Sequence, residues 1–163
     1  MIVNVDGFGL LIGHLIGDYI VQNDWMASNK ANPHPGIDQH SQRVWISCSG
    51  TPLTEEDAKA IQESKAWHEA FRKWHVGHVA CLVHCILYTL AVWACSFWWM
   101  PWWGLAVCFA VHFPIDRWRL AGVWMRNVSG QYVFATGPLS PWSIIVVDNT
   151  FHLLTLFIIA RCV

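Results

Sequence analysis

From Val76 to Ile115 the chain runs 40 residues without one Asp, Glu, Lys or Arg. A membrane-spanning helix needs about 20 mostly apolar residues, so the run has room for two such helices joined by a turn at Met100-Pro101. A soluble domain of 163 residues rarely carries a stretch of this kind. The tryptophans agree, because Trp98, Trp99, Trp102 and Trp103 flank the turn, and Trp rings favour the headgroup level of a bilayer.

Two further apolar segments flank this pair. The sequence predicts an all-α, multi-pass membrane protein, a four-span helical bundle. Its spans cover about 7–21, 76–99, 102–115 and 142–160, and residues 1–163 form a single membrane domain. The first and third spans are short for a hydrocarbon core of about 30 Å, which polar ends or local thinning would accommodate. The chain start carries Asp6 and no basic cluster, so the first apolar segment reads as a retained span rather than a cleaved leader. Ten basic residues balance eleven acidic ones with no basic stripe, which argues against a nucleic-acid partner.

Orientation follows from the basic residues. Lys30, Arg43, Lys59, Lys65, Arg72 and Lys73 lie between spans one and two, and Arg117, Arg119 and Arg126 between three and four. Only Arg161 falls on the opposite side. The positive-inside rule then puts both loops in the cytoplasm and both termini outside. Within the cytoplasmic loop 23–75, residues Asn32 to Thr51 read as irregular, being rich in Pro, Gly, Ser and Asn. Thr54 to His75 reads as an amphipathic helix capped by Thr54, with Trp67, Phe71 and Trp74 on one stripe.

Ionisable groups at membrane depth are expensive and need a partner or a purpose. Three spans carry a His and an Asp four residues apart, hence on one helix face. These are His14 and Asp18, His112 and Asp116, and, in reversed order, Asp148 and His152. The reversal falls on the one span of the three that runs outward. Antiparallel helices must invert the pair if His is to meet His at one depth and Asp to meet Asp at another. The three His then lie about 6 Å deeper than the three Asp at 1.5 Å rise per residue. On the second span His84 falls level with the other His, and His78 near the Asp layer. Gly9, Gly13 and Gly17 form a small-residue stripe that lets another helix come close, and Pro114 is placed to kink or end the third span.

Imidazole and carboxylate are the usual ligands of zinc and related divalent metals. Seven residues are therefore candidate ligands: His14, His84, His112, His152, Asp18, Asp116 and Asp148. Four His and three Asp exceed the needs of one tetrahedral ion. Either some Asp orient His ligands, or the site holds two ions, zinc being the leading choice. The same groups could instead pair to hold helices together or relay protons. Cys81 and Cys85 share a face near His84 and read as small apolar residues. The loop histidines His34, His40, His68 and His75 read as solvated.

The run His14-Leu-Ile-Gly-Asp18-Tyr-Ile-Val-Gln22-Asn-Asp-Trp-Met-Ala-Ser-Asn-Lys30 resembles the opening signature of a domain-of-unknown-function family of small bacterial and phage membrane proteins. The resemblance continues through Val83-His84-Cys85-Ile86-Leu87-Tyr88-Thr89, His112-Phe-Pro-Ile-Asp116 and Asp148-Asn-Thr-Phe-His152, covering all four spans. The chain departs from that pattern at Asn149, where Gln is usual, and in its longer first loop. The pattern is similar to that of membrane-bound metal-dependent hydrolases. The family itself implies no established activity; the leading reading of the residues is a metal-dependent hydrolase working on a lipid-embedded or membrane-adjacent substrate, with Asp148, ahead of Asp18 and Asp116, as base in an inner-membrane setting. The alternatives are a proton or metal-ion channel or transporter, and a non-catalytic protein that binds an envelope partner. Self-association is compatible with all three.

Overall fold

The structure is a computed structural model that describes residues 7–31, 34–37, 43–46, 64–96 and 99–162. Among the described residues there are seven α-helices: α1 (Gly7–Leu15), α2 (Asp24–Asn29), α3 (Ser64–Cys95), α4 (Trp102–Arg117), α5 (Leu120–Asn127), α6 (Tyr132–Thr136) and α7 (Ser140–Cys162). A π turn, Ile16–Ile20, continues α1, and a short β hairpin, β1 (His34–Ile37) with β2 (Arg43–Ile46), lies in the long connection.

Two helical segments, Arg72–Cys95 and Trp142–Cys162, are long and apolar enough to cross a membrane. Gly7–Ile20 is apolar but shorter, and α4 has 16 residues, about 24 Å at the α-helical rise. Large apolar side chains point outward along the long helices, among them Val79, Ile86 and Leu90 on α3 and Val146, Phe157 and Ile158 on α7. A helix apolar on every side suits a lipid environment better than water.

The amphipathic segment and the second apolar segment are one helix, not two. Nothing between His75 and Val76 breaks the backbone hydrogen-bond ladder, and α3 runs unbroken through both. The expected start of that helix, with its Thr54 cap, lies outside the described residues. The supposedly irregular Asn32–Thr51 segment contains antiparallel pairing in which His34 faces Ile46 and Ile37 faces Arg43. Val44, Trp45 and Ile46 are strand formers, and a two-stranded ribbon, being all edge, tolerates Pro35.

Close approach of α1 to α3 depends on glycine. A Cβ at Gly13 would stand 2.7 Å from Val92 Cα, and one at Gly17 would stand 2.6 Å from the Tyr88 ring. The small-residue stripe therefore holds the first helix against the third at van der Waals contact. Toward one end of the bundle the helices meet in an apolar cluster that includes Leu10, Val92, Met100, Leu156 and Ile159. Tyr88 joins the underside of that cluster and marks the boundary with a polar layer.

Candidate metal centre

Each helix delivers its polar groups through local backbone features. In the π turn Val21 N–H bonds Ile16 C=O at 2.9 Å, which widens the helix at Asp18. Its carboxylate can then reach both His14 of its own helix and His84 of α3. Insertions of this type recur at functional sites. On α4, Pro114 does not end the helix, which continues to Arg117. Its ring lies in the last turn, where His112 and Asp116 remain on one face with His112 Nε2 3.3 Å from Asp116 Oδ2.

The expected layer forms around Asp116. His84 Nε2 is 3.0 Å and His112 Nε2 3.3 Å from Asp116 Oδ2, and the two Nε2 atoms stand 3.1 Å apart. Asp18 Oδ1 lies 3.2 Å from His84 Nε2 and 3.8 Å from His112 Nε2. On the other side, Asp116 Oδ1 is 3.2 Å from His152 Nε2. The ring of His112 packs against both Tyr88, with centroids 3.8 Å apart, and His152, at 4.1 Å. Two groups of convergent ligand atoms result, Asp18–His84–His112 and His112–Asp116–His152.

The spacing is informative. Ligand atoms 2.0–2.1 Å from a tetrahedral zinc ion stand about 3.3 Å from one another. The separations around His84 and His112 span 3.0 to 3.8 Å. A hydrogen-bond reading strains to explain them, because a neutral imidazole has one proton for its two nitrogens. Buried Asp18 Oδ1 makes no hydrogen bond among the described residues, and neither do the outward nitrogens, Nδ1, of His84 and His112.

A resident cation also reaches the cluster. Lys30 Nζ donates to Asp116 Oδ2 at 2.7 Å and lies 3.3 Å from His84 Nε2. Burial favours the neutral amine, but the Asp116 carboxylate outweighs that and raises the Lys30 pKa above its ordinary value. The lysine is therefore an ammonium ion, balancing a carboxylate that is itself buried. Its position comes from α2, which Asn23 caps by accepting from Met26 N–H at 2.9 Å. Buried Met26 and Ala31 anchor this short helix.

His14 and Asp148 stand beside the convergent atoms rather than among them. His14 Nε2 lies 3.1 Å from Asn149 Oδ1, while Nδ1 lies 3.1 Å from the Tyr88 hydroxyl and 3.2 Å from Asp18 Oδ2. Asn149 Nδ2 donates to the Tyr19 hydroxyl, which orients the amide so that Oδ1 accepts from His14. Both His14 nitrogens are thus engaged, and the ring steadies Asp18. Asp148 touches His152 at 3.5 Å and is part exposed. It lines a cavity of about 600 Å³ whose walls also include Asp18, Lys30, Asp116 and Asn149.

Other residues stand apart from the two ligand groups. His78 Nδ1 lies 2.9 Å from Trp74 O and 3.4 Å from Arg117 Nε, and Arg117 is buried rather than a loop cation. Cys81 and Cys85 lie 3.9 Å apart, sulfur to sulfur, and stay outside both ligand groups. His75 packs against Trp74, while the side chains of His34, His40 and His68 lie outside the described residues. Lys30, Tyr88 and Asn149 were not expected in the site. Tyr88 follows His84 by four residues on one face, and Asn149 adjoins Asp148, so both carried a positional signal. For Lys30 the signal was the Asn23 cap, which turns the chain back toward the bundle.

No protein family, curated protein or solved structure matches this chain. The molecule is a helical protein with two membrane-length helices and a buried His/Asp cluster of metal-binding spacing.

Proposed function

We propose that the protein is a metal-dependent hydrolase of the bacterial inner membrane, acting at the inner leaflet on a membrane-borne ester, phosphoester or amide. The observation that carries this reading is the convergence of His84, His112, Asp18 and Asp116 at ligand spacing beside a cavity that Asp18 and Asp116 help to line. A structural metal is closed off by four protein ligands, whereas a catalytic one keeps a position for water. Held by these residues, a divalent ion, zinc by ligand type, would supply a water whose pKa is lowered toward 7. Asp116 faces His84 and His112 with Oδ2 and His152 with Oδ1. That two-sided geometry is suited to a carboxylate bridging two ions.

In this reading His14 positions Asp18, and Asp148 is the general base. Asp148 is the one carboxylate of the three with substantial exposure, 29% against 10% for Asp18 and 2% for Asp116. The four-span arrangement belongs to the proposal, with α1 and α4 as short spans and both termini outside. An impermeant thiol reagent added to intact cells then labels exposed Cys162; protection of Cys162 there, with labelling after lysis, reverses the orientation.

The apolar cluster of Leu10, Val92, Met100, Leu156 and Ile159 argues against a conducting path, since it offers an ion no polar step beyond the His layer. A metal-free structural role is favoured by one feature, the Lys30–Asp116 ion pair. The enzyme reading is tested with Asp148→Asn in a screen of lipid esters and phosphoesters. The variant should keep its metal and lose about 10²–10⁴-fold in rate, as expected for a removed general base. Undiminished activity removes Asp148 from that role, and absence of metal-dependent hydrolysis by the unmodified protein removes the enzyme.

A further inference from the structure

The cavity beside the His/Asp cluster holds two arginines that its acids do not engage. Its lining includes Lys30, Arg119 and Arg126 together with Asp18, Asp116 and Asp148. The acids have neighbours within the cluster: Asp116 has Lys30, His84, His112 and His152, Asp18 has His14 at its Oδ2, and Asp148 has His152. Arg119 and Arg126 have no carboxylate partner among the described residues.

Arg126 is the sharper case. Its Nη2 is buried yet makes no hydrogen bond among the described residues, and a buried donor left unmatched costs about 1–3 kcal/mol, more when charged. The guanidinium lies over Gly122, where an added Cβ would stand 3.4 Å from Nη1. Arg119 sits at the corner between α4 and α5 in a left-handed conformation, φ 46° and ψ 52°, a cost of about 1–2 kcal/mol for a residue other than glycine. Two arginine forks facing one cavity suit an oxyanion, each able to donate two hydrogen bonds to it.

Their depth narrows the choice. Exposed Trp118, Trp124 and Tyr132 border the same two arginines in sequence, and such rings favour the headgroup level of a bilayer. Ile144 and Ile145 supply an apolar flank to the cavity. We infer that the cavity is a binding site for a phosphate group, held by Arg119 and Arg126 beside the metal cluster. The inference deepens the hydrolase reading by naming its substrate class, a phosphate ester; the binding itself depends only on the arginines.

The test is calorimetric titration of the full chain in a phosphate-free detergent, chelator-treated and zinc-loaded in parallel. The probes are inorganic phosphate, a short-chain phosphatidic acid, and the diacylglycerol of equal chain length. Phosphatidic acid should bind the chelator-treated protein and the diacylglycerol should not. The double variant Arg119→Gln, Arg126→Gln should weaken binding at least about tenfold, as expected when charged hydrogen bonds are lost. Arg126→Lys should restore part of it. Arg72→Gln, exposed and outside the cavity lining, should change nothing. Tighter binding of phosphatidic acid than of inorganic phosphate identifies a lipid headgroup as the source, and equal binding identifies free phosphate; either supports the site. Binding that is unchanged in the double variant, equally weakened in Arg72→Gln, or absent for both phosphates overturns it. Arginine-dependent binding without zinc uptake leaves the phosphate site and removes the metal hydrolase. Zinc uptake with arginine-independent binding does the reverse.

Discussion

His84 and Val92 lie two turns apart on α3, both fully buried, in opposite chemical worlds. Around Val92 the neighbours are Leu10, Met100, Leu156 and Ile159, with the helices drawn together by Gly13. Around His84 they are Asp18, His112, Asp116 and Lys30, with polar atoms 3.0 to 3.3 Å away. One end of the bundle is held by packing and excludes charge. The other concentrates charge, at a desolvation cost that only close pairing offsets. The lesson is that polarity here is segregated by depth, and depth is set by residue count along each helix.

The largest effect should come from breaking that segregation. Val92→Asp puts a carboxylate where the surrounding cluster offers no partner, and an uncompensated buried charge costs about 3–5 kcal/mol. Thermal unfolding in detergent should show loss of the folded state or a large fall in Tm. An unchanged Tm means that either depth tolerates charge, and the contrast collapses.

A smaller effect sharpens the polar side. Lys30→Met removes the ammonium 2.7 Å from Asp116, leaving that carboxylate to the imidazoles alone. In chelator-treated protein the variant should unfold more easily, by about 3 kcal/mol at most given that Lys30 keeps some exposure. Added zinc should then stabilise it more than it stabilises the unmodified chain, because a divalent ion replaces the missing charge. Equal stability with chelator would show that Lys30 does not balance Asp116.

Much of the layer was legible in the sequence because helical geometry is regular. A four-residue spacing puts His and Asp on one face, and the inverted order at Asp148–His152 follows from chain direction. Those two facts placed His112 and His152 at one level, and residue count along the second span set His84 level with them. What periodicity could not give was the direction in which each ring nitrogen points. His14 shares the expected face, yet its two nitrogens are taken by Asn149, Tyr88 and Asp18. His78 was expected near the Asp layer from its residue count, but pairs with Arg117. Lys30 was legible only as a loop charge, since its reach depends on α2 folding back and on buried Met26. The hairpin at His34–Ile37 and Arg43–Ile46 was hidden by Pro and Gly, although Val44-Trp45-Ile46 carried a strand signal.

The central claim is that the His/Asp layer binds metal. Elemental analysis of protein purified in detergent without chelator tests it most directly. One or two ions per chain are expected, as for mono- or dinuclear sites, with loss of the metal in the His84→Ala, His112→Ala double variant while the helical signal persists. Protein that carries no metal, and takes up none on addition of zinc or other divalent ions, would contradict the claim and leave Lys30 as the cation that balances Asp116.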